Sequence, residues 1–108
     1  MRKHIIAALV MTALAGCATS EKYSKLLDTW KGDPVERLVG SNWGYPDTII
    51  KAPNGNDVYI YKWESISTNK KGYTNRYWCN TFFEIDDSKT IVRWRWKGNH
   101  CVSKYQEK

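Results

Sequence analysis

Thr90-Ile91-Val92-Arg93-Trp94-Arg95-Trp96-Lys97 switches between two kinds of side chain at every step. Val92, Trp94 and Trp96 fall on one side, and Ile91, Arg93 and Arg95 on the other. A period of two marks a strand with one buried face, so the stretch predicts a half-buried strand with tryptophans inward and arginines outward. Reading back from it, Asp86-Asp87-Ser88-Lys89 predicts a turn, because short acidic and hydroxyl side chains bond their own backbone. Residues 73–85, rich in aromatic and β-branched side chains, predict the strand before it. A polar loop over residues 65–72, carrying Lys70 and Lys71, then separates that strand from residues 58–64.

Residues 58–64 set Tyr59, Tyr61 and Trp63 against Val58, Ile60 and Lys62. Both sides are apolar enough to face a core. If Val58 and Ile60 face inward, Tyr59, Tyr61 and Trp63 are candidate partner-binding residues; the opposite phase buries them. Upstream, Asn54-Gly55 is a hairpin signal inside the loop 52–57, and residues 47–51 form a first strand between Pro46 and Pro53. Tyr23, Leu26, Leu27 and Trp30 recur at helical spacing, with Gly32 after them. Asp33-Pro34-Val35-Glu36 starts a second helix, with Asp33 as cap, Pro34 at the first helical position and Glu36 closing a capping box; Gly40 stops it. The pattern predicts an α+β fold: two short N-terminal helices packed on a four-stranded antiparallel β-meander.

The first residues carry a different message. Met1-Arg2-Lys3 is a cationic tip, and residues 5–14 are apolar except for Thr12. That apolar run is about half the roughly 20 residues a spanning helix needs, so it predicts a secretory signal peptide rather than an anchor. Leu14-Ala15-Gly16-Cys17 resembles the bacterial lipobox, which implies cleavage before Cys17 and acylation of its thiol. The expected organisation is a signal peptide over residues 1–16, a lipidated tether over 17–21 and one domain over 22–108. Ala18 stands where inner-membrane retention in enteric lipoproteins uses aspartate, so the same resemblance implies a lipid anchor in the outer membrane, on its periplasmic face.

Removing 16 of the 108 residues leaves 92, enough for one small domain that gains from a covalent staple. With Cys17 lipidated, Cys79 and Cys101 are the two cysteines left, and an oxidising compartment predicts a disulfide between them. Free thiols and a metal pair are the alternatives, but His100 is the only histidine after cleavage. A turn centred near residue 87 sets residue 79 opposite about residue 96, which leaves Cys101 on a tail that bends back at Gly98-Asn99.

Loss of Arg2 and Lys3 lowers the formal charge from +6 to +4. A diffuse positive charge favours anionic neighbours without the basic runs that nucleic acid calls for. His100 lacks a paired nucleophile, and Asp86 and Asp87 are turn residues, so the reading is a non-enzyme without cofactor or metal. The 6 tryptophans and 7 tyrosines either fill a small core or line a groove. Arg93 and Arg95 are the candidate contacts for an envelope protein with an acidic face.

Gly44-Tyr45-Pro46, the glycine hairpin, Tyr59-Ile60-Tyr61 and Phe83-Glu84-Ile85-Asp86, behind a lipobox and two short helices, resemble the small outer-membrane lipoproteins of the SmpA/OmlA (BamE-like) group. Residues 32–63 carry most of the likeness. The resemblance implies two helices on an antiparallel sheet and an accessory role in an outer-membrane complex. The expected function is therefore a lipid-anchored module that scaffolds or modulates an envelope protein complex. The alternative is a small inhibitor or exclusion lipoprotein that blocks an exported enzyme or an incoming agent.

Overall fold

Helix α1, Ala18–Asp28, opens the computed structural model, which describes residues 18–102. The signal peptide, Cys17 and the lipobox lie outside the described residues. Residues 18–21, expected to belong to the tether, form the first turn of α1. Helix α2, Val35–Val39, follows; then come β1 Thr48–Lys51, β2 Asp57–Thr68, β3 Thr74–Ile85 and β4 Ile91–Gly98. The strands pair antiparallel in the order β1-β2-β3-β4, the meander expected.

The apolar stripe is buried as its spacing requires, although α1 ends before its last member: Tyr23 and Leu27 on the helix and Trp30 in the turn after it are each at most 2% exposed. They share one cluster with Val35 and Leu38 of α2 and with Tyr61, Cys79, Phe83, Ile85 and Ile91 of the sheet. Three polar contacts join α1 to the strands. The hydroxyls of Tyr23 and Thr81 are 2.6 Å apart, Trp94 Nε1 donates to Asp28 at 2.7 Å, and Trp96 Nε1 donates to Ser24 at 3.0 Å. The tryptophans of β4 thus do two things at once: their rings join the cluster and their N–H groups stay satisfied. Burial pushes the Tyr23 hydroxyl up to about 12, against the opposing pull of its bond to Thr81.

The capping box expected at Asp33 does not form. Pro34 is the N-cap, in extended conformation and without a side-chain cap bond. Asp33 stands 4.0 Å from Arg37, and the backbone of residues 32–35 is used elsewhere. Gly32 N–H donates to Ile91 O, Ile91 N–H to Asp33 O, and Val35 N–H to Lys89 O. The link between the helices therefore lies along the start of β4, and pairing there outweighs capping.

The three hairpin turns share one construction. In each, the residue whose N–H donates to the carbonyl three residues back is itself at positive φ: Gly55 at 90°, Gly72 at 88° and Lys89 at 63°. Asn69 and Asp86 also accept backbone N–H groups through their side chains, which fixes the second and third turns. The second turn covers residues 69–73, so the polar loop expected over residues 65–72 is wrong in its first half. Ser65, Ile66, Ser67 and Thr68 continue β2 and pair with β3.

Register differs from expectation at the last hairpin. Glu84 pairs with Arg93 but Ile85 with Ile91, so Val92 is an extra residue in β4. This bulge lets Ile91 point inward, fully buried, while Arg93 and Arg95 point outward. The bulge and the longer turn also set Cys79 opposite Gly98 rather than residue 96. The chain then turns sharply: Asn99 and His100 both donate to Trp78 O at 3.1 Å. A side chain on Gly98 would meet that oxygen at 2.3 Å, which is why only glycine fits. The turn brings Cys101 to Cys79, with Cα atoms 5.0 Å apart and the sulfurs bonded.

Candidate functional site: the open face of the sheet

Cross-strand partners share a face, so the register sorts the side chains. On the helix side run Ile49, Tyr59, Phe83 and Trp94, then Tyr61, Thr81 and Trp96, then Trp63, Cys79 and Gly98. This is the phase that buries the candidate aromatics of β2. Tyr61 is 6% exposed, its ring edge-on to Trp43 and Phe83, and its hydroxyl donates to Gly44 O at 2.8 Å. Burial raises its pKa. Tyr59 and Trp63 are half-buried against the same cluster, and Trp63 stacks on His100 at 5.6 Å. Tyr59, Tyr61 and Trp63 therefore sit across the sheet from Arg93 and Arg95, not beside them.

The other face carries Ile50, Val58, Glu84 and Arg93 in one row, Thr48, Ile60, Phe82 and Arg95 in the next, and Lys62, Asn80 and Lys97 in the third. Its centre is apolar. Val58 and Ile60 are buried, while Ile50 is 46% exposed at the edge. A hollow of about 270 Å³ lies over Ile50, Val58 and Phe82, rimmed by Arg93, Arg95 and the loop at Pro53. A second, of about 350 Å³, lies further along β2 and β3 over Lys62, Trp78 and Asn80.

The two arginines are in different electrostatic states. Arg93 donates to Glu84 Oε2 at 2.8 Å, and the same oxygen accepts from Asn54 at 3.1 Å and Asn56 at 2.8 Å. The bonds from Asn54 and Asn56, followed by Arg93, hold the Glu84 carboxyl below the usual carboxylate range. Arg93 is thus already neutralised and ties β4 to the β1–β2 turn. Arg95 has no carboxylate partner among the described residues; its guanidinium lies over the Phe82 ring, 4.0 Å from the centroid. Lys62 and Lys97, both exposed and opposite Asn80, have no ion pair among the described residues either.

The cations of this face without an ion pair among the described residues are therefore Lys62, Arg95 and Lys97. Sequence reading picked out Arg95 but missed both lysines; their signal was the outward phase they share with Arg95 and Ile60. The arrangement offers cationic groups that can bind carboxylates beside apolar side chains. Among the described residues no group of three or more histidine, cysteine or acidic side chains is placed to hold a metal, and no helix is long and apolar enough to cross a membrane.

Fold and face together define a disulfide-linked α+β domain in which one face of the antiparallel sheet is cationic and carries no helix among the described residues. No known protein-family model, curated protein or solved structure matches the chain.

Proposed function

We propose that the protein is a lipid-anchored envelope module that docks a protein with an acidic face through the open side of its sheet. The anchor rests on the lipobox-like residues Leu14-Ala15-Gly16-Cys17, and the outer membrane on Ala18 after the cysteine. In this reading the helices form the layer that closes the back of the sheet and leaves its front for the partner. The observation that carries it is that Lys62, Arg95 and Lys97, without an ion pair among the described residues, share a face with Ile50, an apolar side chain that is 46% exposed. Cations around an apolar centre give both orientation and contact area to an acidic partner. Exposed Tyr45, Tyr73 and Tyr77 favour the second reading, a small inhibitor of an exported enzyme or agent, since tyrosine anchors such contacts.

Arg95→Glu with Lys97→Glu is the direct test. Both side chains are exposed; Lys97→Glu is expected to move stability by less than about 0.5 kcal/mol, and Arg95→Glu to cost about 0.5–1 kcal/mol through loss of the contact with Phe82. Capture of envelope partners by cross-linking is expected to fall, with most of its salt dependence lost. Unchanged partners at unchanged yield would contradict the assignment of this face. Arg93→Glu is a poor substitute, because it sets two carboxylates side by side at Glu84. The identity of the captured protein separates the two readings: a stoichiometric host complex supports the module, and a secreted or foreign enzyme supports the inhibitor.

Anchoring is tested separately. Cys17→Ser is expected to give protein without acyl chains, uncleaved or released from the membrane, because no other thiol stands at the cleavage site. Intact mass of the wild-type chain purified from membranes is expected to show acylated Cys17 as its first residue. An unmodified cysteine there, or cleavage elsewhere, contradicts the anchor.

A further inference from the structure

The β2–β3 hairpin outruns the rest of the sheet. β1 ends its pairing at Ile60, and β4 ends at Cys79, yet β2 and β3 continue together for five more pairs, from Glu64↔Trp78 to Thr68↔Thr74. Residues 64–77 are all exposed, including Ile66 at 62% and Tyr73 at 67%. A bare two-stranded ribbon is marginal in water, so this arm gains from a third strand.

Its two edges are not equivalent. Along β3 the edge is already covered: Asn99 accepts from Trp78 N–H at 2.9 Å and donates to Arg76 O at 2.8 Å, taking the place of a continued β4. Along β2 the last cover is the Asp47 carboxylate, which accepts from Lys62 N–H. Antiparallel pairing turns alternate residues to opposite sides, so after Lys62 the N–H and C=O groups of Glu64, Ile66 and Thr68 face outward, with no strand beside them among the described residues. Neither proline nor a bulge interrupts Glu64-Ser65-Ile66-Ser67-Thr68, so its main-chain groups stay in register for a further strand. Charge selects the occupant. Lys62 stands before this edge and Lys70 and Lys71 after it, while its one carboxylate, Glu64, is held by Arg76.

We infer that the outer edge of β2 over residues 64–68 receives an extended acidic segment of a partner protein as an added strand. Main-chain bonds to Glu64, Ile66 and Thr68 supply the pairing, and Lys62, Lys70 and Lys71 the preference for acid. The inference rests on the reading of an acidic partner, but uses the edge of the arm rather than the face at Arg95.

The test uses the mature full-length protein and a synthetic peptide of alternating glutamate and valine. A second peptide of the same sequence, N-methylated at alternate residues, keeps the charge but cannot complete a ladder. Backbone hydrogen exchange read by NMR is expected to slow at Glu64, Ile66 and Thr68 with the first peptide and not with the second. Ile66→Pro removes only an outward N–H and leaves the β2–β3 ladder, so it is expected to weaken binding by about tenfold or more. Ile66→Thr keeps the N–H and is expected to stay within about threefold of wild type. Should the proline variant misfold, the peptide pair decides alone. Absence of protection at millimolar peptide overturns the inference, as does equal protection by the N-methylated peptide. If the peptide instead perturbs Phe82, Arg95 and Lys97 without protecting the edge amides, and Arg95→Glu abolishes its binding, the open face stands and strand addition falls. If Arg95→Glu with Lys97→Glu leaves envelope capture unchanged while the edge amides are protected, the face falls and the edge stands.

Discussion

Replacing Cys101 with serine is expected to lower the stability of the domain by roughly 3 kcal/mol, within the 2–5 kcal/mol typical of small secreted domains. The bridge closes a separation of 22 residues, and the size of that loop sets the entropy that the unfolded chain regains. Cys101 is 3% exposed, so a serine there also buries a hydroxyl in the place of a sulfur. For a domain of this length, each kcal/mol moves the melting temperature by about 4–8 °C, so a drop of roughly 12 °C or more is expected. Thermal melts of the oxidised wild type, the reduced wild type and Cys101→Ser measure it. Oxidised and reduced protein melting within a few degrees of one another would mean that the tail is held by Asn99 and His100 alone. Non-reducing peptide mapping is expected to find Cys79 and Cys101 joined within one chain.

Phe83→Ala is expected to cost about 3–5 kcal/mol, the range for a large ring removed from a packed core. Phe83 is fully buried at the point where the layers meet. Trp43 stands edge-on to it at 5.2 Å and Tyr61 at 6.0 Å, and Trp94 pairs with it from β4. These large rings are held by strands and by a segment after α2, so they cannot close over the space left behind. Urea unfolding with the disulfide intact gives the number. Since a small domain is stable by about 5–15 kcal/mol in total, the variant is expected to be partly unfolded once the disulfide is also reduced. A cost below about 1 kcal/mol would mean that the cluster is not the core of this fold.

What could be read from the sequence follows from how local each cause is. The alternation of Arg93, Trp94, Arg95 and Trp96 reports burial directly, and the structure puts both tryptophans against α1. The spacing of Tyr23 and Leu27 reports a helix for the same reason, and the disulfide was expected from the cysteine count together with the compartment that the lipobox-like residues imply. The arm was hidden because Ser65, Ser67 and Thr68 are polar, and a strand exposed on both faces has no burial period to show. The phase of β2 was open because Val58 and Ile60 are as apolar as Tyr59 and Tyr61, and the open face has an apolar centre of its own. The bulge at Val92 has no residue signature, yet it decides that Ile91 is core while Arg93 faces outward. At the site, Arg95 was legible from alternation, but the pairing of Arg93 was not. Glu84, Asn54 and Asn56 meet it only because β1, β2, β3 and their turns converge there.

Photo-cross-linking from defined positions tests the docking claim most directly. A cross-linking residue in place of Lys97 looks out from the open face; one in place of Glu36 on α2 is also exposed but lies on the covered side of the molecule. In intact envelopes, Lys97 is expected to yield one dominant adduct to a protein with an acidic surface, reduced by raised salt, and Glu36 is expected to yield none of it. Equal adducts from both positions, or adducts from Glu36 alone, would contradict the account.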